Sequence, residues 1–206
     1  MLEARNLACR RGERMLFEDV SFSLEAGEWL WIEGRNGCGK TSLMRILCGL
    51  SPAEDGEVRW RGENARVLGE DFAREIQYLG HANALKDDLT VAENLRFGAR
   101  LSGLATTPEL IDAALEASGL AERRDLAVRH LSQGQRRRAA LARLWLAQSR
   151  PLWILDEPFA ALDAESVQRL AALVGTYLEG GGLAVLTTHQ EVPLPAGRMR
   201  RLRLSH

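Results

Sequence analysis

Trp29-Leu30-Trp31-Ile32-Glu33-Gly34-Arg35-Asn36-Gly37-Cys38-Gly39-Lys40-Thr41-Ser42 is the stretch that decides the fold. Trp29 to Ile32 is a continuous apolar run bounded by glycines, the pattern of a strand buried on both faces. Gly34 to Thr41 then fits GxxxxGK[ST] at every fixed position, and an amphipathic segment from Lys40 to Leu50 follows. Strand, loop and helix in that order are the context in which this motif holds phosphate. The glycines let the backbone curl until successive N–H groups face an anion, and the helix N-terminus adds positive potential. Lys40 is placed for a charge-assisted contact with β and γ phosphates, and Thr41 offers a hydroxyl to Mg2+. The expected ATP-binding set is therefore Gly34, Arg35, Asn36, Gly37, Cys38, Gly39, Lys40, Thr41 and the adjoining Ser42, with ATP and Mg2+ as the expected ligands.

Outward from this loop, strands and helices alternate. The stretch from Val20 to Gly34 alternates and then becomes continuously apolar, and 57–62 and 76–80 read as further strands. Residues 90–148 are rich in Ala, Leu, Glu and Arg at helical spacing, in three segments broken at 103–108 and 119–133. Residues 151–157 read as a strand, 164–179 as a helix and 181–189 as a strand, and Arg198 to Leu204 alternates basic and apolar like an edge strand. Strands separated by helices predict an α/β fold with a parallel sheet and crossovers. The 206 residues suit a single domain. Its core is expected over about 1–80 and 149–206, with a helical lobe inserted over about 82–148.

Leu152-Trp153-Ile154-Leu155 runs directly into Asp156-Glu157. Ligands of open α/β sheets sit beyond the carboxyl ends of the strands. Asp156 is thereby placed for the water shell of Mg2+, and Glu157 to orient a water for in-line attack on a γ phosphate. A solvated acidic pair at a strand end would look the same in isolation; the phosphate loop favours the functional reading. Ser132 precedes a helical run with Gln135 three residues on, which is the pattern of a capping box whatever else it does.

Composition sets the outer bounds. Charge nearly cancels at −1, so binding of nucleic acid or membrane by bulk charge is not expected. No apolar run reaches the ~18–20 residues of a membrane span, and Met1 to Leu7 does not read as a secretory signal. Cys9, Cys38 and Cys48 form no CxxC pair, which suits a reducing compartment. Of 27 basic residues only Lys40 and Lys86 are lysines. In a chain so biased to arginine, a lysine inside the glycine-rich loop marks a place for a compact point charge. The five tryptophans read as core packing, and Arg136-Arg137-Arg138 as a solvated helix face or, alternatively, a phosphate-proximal one.

Leu131-Ser132-Gln133-Gly134-Gln135 resembles the LSGGQ signature of ATP-binding cassette (ABC) ATPases, in the family's order between phosphate loop and acidic strand. Ala161-Leu162-Asp163 resembles the family's D-loop. His189, 32 residues beyond Glu157, matches its switch histidine. The resemblance implies a P-loop NTPase (RecA-like) core with an antiparallel β subdomain and an inserted α-helical signature subdomain. It implies two copies facing head to tail, with Ser132, Gly134, Gln135 and Asp163 of one completing the ATP site of the other, and Glu157, His189 and the Q-loop residue as catalytic groups. Two positions depart from the general pattern. His81 stands where most members have Gln, and Arg11 falls near the usual adenine-stacking aromatic, where it reads either as a stacking guanidinium or as a solvated side chain.

Leu79-Gly80-His81, Gly27-Glu28-Trp29, residues 141–146 and residues 153–158 together resemble the ATP-binding subunits of bacterial haem exporters in cytochrome c maturation. That likeness implies a membrane-embedded permease partner, other membrane proteins of cytochrome c maturation and no nucleic acid. It also implies a peripheral position on the cytoplasmic face of the bacterial inner membrane. ATP hydrolysis there is tied to release of a haem-loaded chaperone. The alternative carried alongside is the ATPase subunit of an ABC transporter with a different cargo. Soluble tandem-cassette proteins of translation or DNA repair, and ATP sensors lacking the carboxylate at Glu157, fit the length and the motifs less well.

Overall fold

A computed structural model describes residues 1–188, 194 and 197–204. β1 (Leu2–Arg11) and β2 (Arg14–Leu24) form an antiparallel hairpin turning at Gly12. β3 (Glu28–Glu33) leads through the glycine loop into α1 (Lys40–Leu47). β4 (Asp55–Trp60) returns to pair antiparallel with β1, and the short β5 (Glu63–Asn64) extends that sheet to the order β2-β1-β4-β5. Gly56 is required in β4: its φ is +83°, and a Cβ there would collide with the backbone of Arg5 and Asn6. Two short helices follow that the sequence pattern does not predict, α2 (Ala65–Leu68) and α3 (Glu70–Glu75). Asn64 caps the first, its side chain accepting from the Arg66 N–H at 2.9 Å.

β6 (Ile76–Leu79) opens the second sheet. Next comes the helical lobe: α4 (Val91–Leu101), α5 (Pro108–Ala117), α6 (Gln133–Leu141) and α7 (Arg143–Leu146). Thr90 and Glu93 form a capping box on α4, and Thr107 with Pro108 starts α5. The single helical run expected after Gln135 divides at Ala142. Beyond it the bonds tighten to the three-residue kind, Trp145 N to Ala142 O and Ala147 N to Leu144 O. β7 (Leu152–Asp156), α8 (Ala164–Glu179), β8 (Leu183–Thr187) and β9 (Arg198–Arg203) complete the chain. The second sheet has the order β6-β7-β8-β3-β9, and every pairing in it is parallel. This is the expected α/β architecture of a parallel core, an antiparallel sheet and an inserted helical lobe.

Strand periodicity divides the core. On β3, Leu30 and Ile32 face α1 and the antiparallel sheet, joining Leu43, Met44, Leu2 and Leu7. Trp29 and Trp31 face the other way, joining Trp153, Leu170 and Val174 beneath α8. β7 and β8 are buried along their whole length, as strands covered on both faces must be. The lobe has its own cluster around Leu95, Ile111, Leu115 and Val128. Trp153 stacks on Tyr177 with ring centroids 3.8 Å apart and donates its Nε1–H to the Ala147 carbonyl at 3.1 Å. Four of the five tryptophans are buried, as core packing requires.

On the edge strand β9, Arg200 pairs with buried Glu28 of β3 (Nε–Oε2 2.8 Å), and Arg201 lies over the Trp31 ring. The Arg200 hydrogen bond holds the Glu28 carboxyl below its ordinary value. A lowered carboxyl pKa contributes stability above the unfolded value and loses it as pH falls through the folded value. Acid titration followed by denaturant unfolding should therefore show stability falling below the usual carboxylate range, with that component reduced in Arg200→Gln. Trp153→Ala should cost about 3–5 kcal/mol of unfolding free energy, read from denaturant midpoints at constant slope.

Candidate nucleotide site

The parallel strands β3, β7 and β8 end on one side of the sheet, and there the chain collects its candidate groups. Past β3 the loop turns at Gly37 (φ +80°) and Gly39 (φ +102°), the left-handed region where glycine carries no Cβ penalty. A Cβ on Gly39 would also press on Leu16 and Phe17 of β2. Gly39 precedes α1 without any side-chain cap, so the first helical N–H groups keep their donors for an anion. Lys40 is 9% exposed, and its ammonium donates to the carbonyl of Gly34 at 2.7 Å, which draws its charge into the curl of the loop. Cys38 is buried beneath the loop against Gly34, a position that allows no Cβ.

Asp156 ends β7, 2% exposed. Its Oδ2 accepts from the Thr41 hydroxyl at 2.8 Å and its Oδ1 from the Thr187 hydroxyl at 2.7 Å. Thr187 Oγ in turn accepts the backbone N–H of Glu157 at 2.8 Å. Glu157 has φ +50°, a conformation that costs a non-glycine residue of order 1 kcal/mol or more and persists only where neighbours enforce it. A cavity of about 330 Å³ lies over these groups, lined by Asn36, Gly37, Gly39, Lys40, Thr41 and Ser42, with Arg11, Leu16 and Glu157 around it. Arg11 thus borders the same cavity as the phosphate loop. A larger cleft of about 780 Å³ sits at the opposite strand ends, near Glu75 and Pro151, and includes none of the expected residues.

Of the remaining candidates, Ser132, Gly134, Gln135, Asp163 and His81 do not line that cavity. Ser132 caps α6, its Oγ accepting from Gln135 N at 3.2 Å while the Gln135 side chain accepts from Ser132 N at 2.9 Å. This is the capping box expected from the sequence. A hydroxyl that accepts still has its own proton to donate. Gly134 faces the Ala161 carbonyl. Asp163 caps α8 through the Ser166 N–H at 2.8 Å, and hydrogen bonds from the Ser166 hydroxyl and that N–H hold its carboxyl below the ordinary value. His81 is exposed just past β6. His189 lies outside the described residues.

Two residues escape the sequence reading. Thr187 reads as one apolar-strand residue among others, yet it joins Asp156 to Glu157. Arg137 reads as part of a solvated face, and here the structure corrects the sequence: Arg137 is 4% exposed. Its Nη2 donates to the carbonyl of Glu157 at 2.6 Å and of Asp156 at 3.2 Å. Three arginines in a row suggest solvent. Helical spacing gives the better signal, because Arg137 lies three and four residues before buried Ala140 and Leu141 on one face of α6.

A family model described as "ABC transporter" matches residues 17–160. A cytochrome c biogenesis ATP-binding export protein CcmA of Dechloromonas aromatica is 54% identical over 204 residues, 99% of this chain and all of that protein. A protein of the same description from Salmonella typhi is 47% identical, covering 100% of this chain and 97% of its own. Among solved structures, an ATP-binding subunit of an ABC transporter superposes with TM-score 0.81 at 26% identity, over 92% of this chain and 79% of that one. A dimeric ATP-binding cassette in a post-hydrolysis state with ADP and Pi shares the fold, with TM-score 0.83 at 24% identity over 100% and 97% of the chains. This chain belongs to the ABC transporter ATP-binding family, among the cytochrome c biogenesis ATP-binding export proteins.

Proposed function

We propose that the chain is the ATP-hydrolysing subunit of a membrane export complex serving cytochrome c biogenesis, with haem export or release of a haem-loaded chaperone as the work performed. The observation that carries this is the Thr41–Asp156–Thr187–Glu157 network under the phosphate loop, in a chain similar end to end to proteins of that description. The whole chain acts as one ATPase domain, core about 1–80 and 149–206 with the lobe about 82–148. Its membrane partners are a permease subunit and other proteins of the maturation system. No helix among the described residues is long and apolar enough to cross a membrane. In this reading the chain attaches peripherally at the cytoplasmic face of the inner membrane, through its permease partner.

In this reading residues 34–42 hold the polyphosphate through backbone amides and Lys40. The hydroxyl of Thr41 and carboxylate of Asp156 are hard oxygen donors from two elements, the kind of partial set that suits Mg2+, which keeps waters and phosphate oxygens as its other ligands. Bound there, Mg2+ would neutralise charge on the transferring phosphate. Glu157 orients the attacking water, with His81 and His189 as the other catalytic groups. Ser132, Gly134 and Gln135 at the N-terminus of α6, with Asp163, cover the nucleotide of a second copy. The γ phosphate then favours the closed pair through contacts that exist only there, and hydrolysis removes them.

Glu157→Gln should bind ATP, lower turnover by at least about 100-fold and accumulate an ATP-bound dimer, measured by phosphate release and sedimentation; a native rate contradicts the assignment of Glu157. In a bacterium lacking its own homologue, this chain should restore covalent haem on c-type cytochromes and co-purify with the permease, and Glu157→Gln should not restore it. Full restoration by Glu157→Gln, or co-purification with an unrelated transporter only, contradicts the proposed work.

A further inference from the structure

Arg137 is a buried cation that the hydrolysis scheme above leaves unused. Its side chain meets four oxygens, all of them backbone or amide: the carbonyls of Glu157, Asp156 and His81, at 2.6, 3.2 and 3.5 Å, and Asn83 Oδ1 at 3.2 Å. Its Nε is buried without a partner among the described residues. Burying a guanidinium on neutral acceptors is costly, and an apolar side chain would fill the space more cheaply. Burial pulls its pKa down, and the nearby charges of Asp156 and Glu157 oppose that pull. A half-buried arginine, Arg143 of α7, donates to the carbonyl of Asn83 at 3.5 Å, so Asn83 is held on its amide by one arginine and on its backbone by the other. Outside this pair, Arg136–Asp87 and Arg129–Asp88 fasten the same segment at the surface.

Glu157 stands in the left-handed region with its two backbone groups fixed from opposite sides, the N–H by Thr187 and the carbonyl by Arg137. We infer that Arg137 is a positioning residue for ATP hydrolysis: it fixes the backbone of Glu157 so that the carboxylate is aimed, and makes that aim depend on the placement of the signature helix α6 and of the segment carrying His81 and Asn83. This rests on the reading of Glu157 as the group that orients water. The planar fork matters, because one guanidinium reaches a carbonyl on β7's end and an amide in the 81–83 segment together, which a point charge cannot do. A shift of α6 is then felt at Glu157 through one rigid side chain, and a misplacement of about 1 Å is enough to cost 100-fold in rate.

The test uses the full chain with Arg137→Gln, Arg137→Lys, Glu157→Gln and the double variant Arg137→Gln/Glu157→Gln. Steady-state ATPase is measured beside equilibrium titration with a fluorescent ATP analogue and thermal melting. Arg137→Gln should lower kcat about 10- to 100-fold, with KM and analogue Kd within about twofold. Arg137→Lys should recover part of kcat at low pH and lose it as pH rises, because burial depresses an ammonium pKa while a guanidinium stays charged. In the Glu157→Gln background, Arg137→Gln should add no further loss. Where Arg137→Gln fails to fold, Asn83→Ala removes one anchor of the guanidinium and should lower kcat severalfold at unchanged Kd; a native kcat there overturns the inference. A native kcat in folded Arg137→Gln, or a loss that adds fully to that of Glu157→Gln, also overturns it and leaves Glu157 in place. A native rate in Glu157→Gln overturns the water-orienting assignment itself, and with it any route through that residue.

Discussion

A single buried carboxylate, that of Asp156, fastens the parts of this chain that must act together. Its two oxygens accept hydroxyls from Thr41 at the start of α1 and Thr187 at the end of β8. An ionised carboxylate at 2% exposure would be costly if unpaired; each hydroxyl bond to it contributes about 1.5–3 kcal/mol. The same bonds set the register of function. They hold the first helical turn after the phosphate loop against the end of β7, and through Thr187 they hold the N–H of Glu157.

The parallel sheet makes this convergence possible. Every pairing among β6, β7, β8, β3 and β9 is parallel, so the carboxyl ends of β3, β7 and β8 share one side. Alternation along β3 then commits Leu30 and Ile32 to one core and Trp29 and Trp31 to the other. The strand that delivers the loop is therefore clamped from both faces. α6 stands outside this sheet, in the lobe, and reaches its carboxyl edge through Arg137. A loop held by the core and a signature helix held by the lobe meet at Glu157, which is where a change in their relation would be felt.

How much of this is legible in the sequence depends on how local the determinant is. The phosphate loop, the Asp156-Glu157 strand end and the Ser132 capping box are each written within eight or fewer consecutive residues, and each lies where its motif predicts. The edge strand at 198–203 is likewise legible from alternation. The misses are long-range or marginal. Thr187 acquires its role only when β8 lies beside β7, a pairing that the spacing of residues does not specify. Arg137 is buried because the 81–83 segment and the end of β7 close over it, whereas a run of three arginines reads as solvent. The helices at 65–75 are a turn or so each, too short for periodicity to register. The strand order β6-β7-β8-β3-β9 follows from crossovers that no single segment encodes.

In the proposed function a polyphosphate is clasped between the glycine loop of one copy and the signature helix of another. The cavity over Lys40 is bounded by its own loop and by Glu157, while Ser132 and Gly134 do not line it. A crystal structure with Mg2+ and a non-hydrolysable ATP analogue addresses this most directly. The triphosphate should lie on the N–H groups of residues 34–42 of one copy, with Ser132 and Gly134 of a second copy on the γ phosphate. A nucleotide enclosed by one copy alone, or bound away from Lys40, would contradict it.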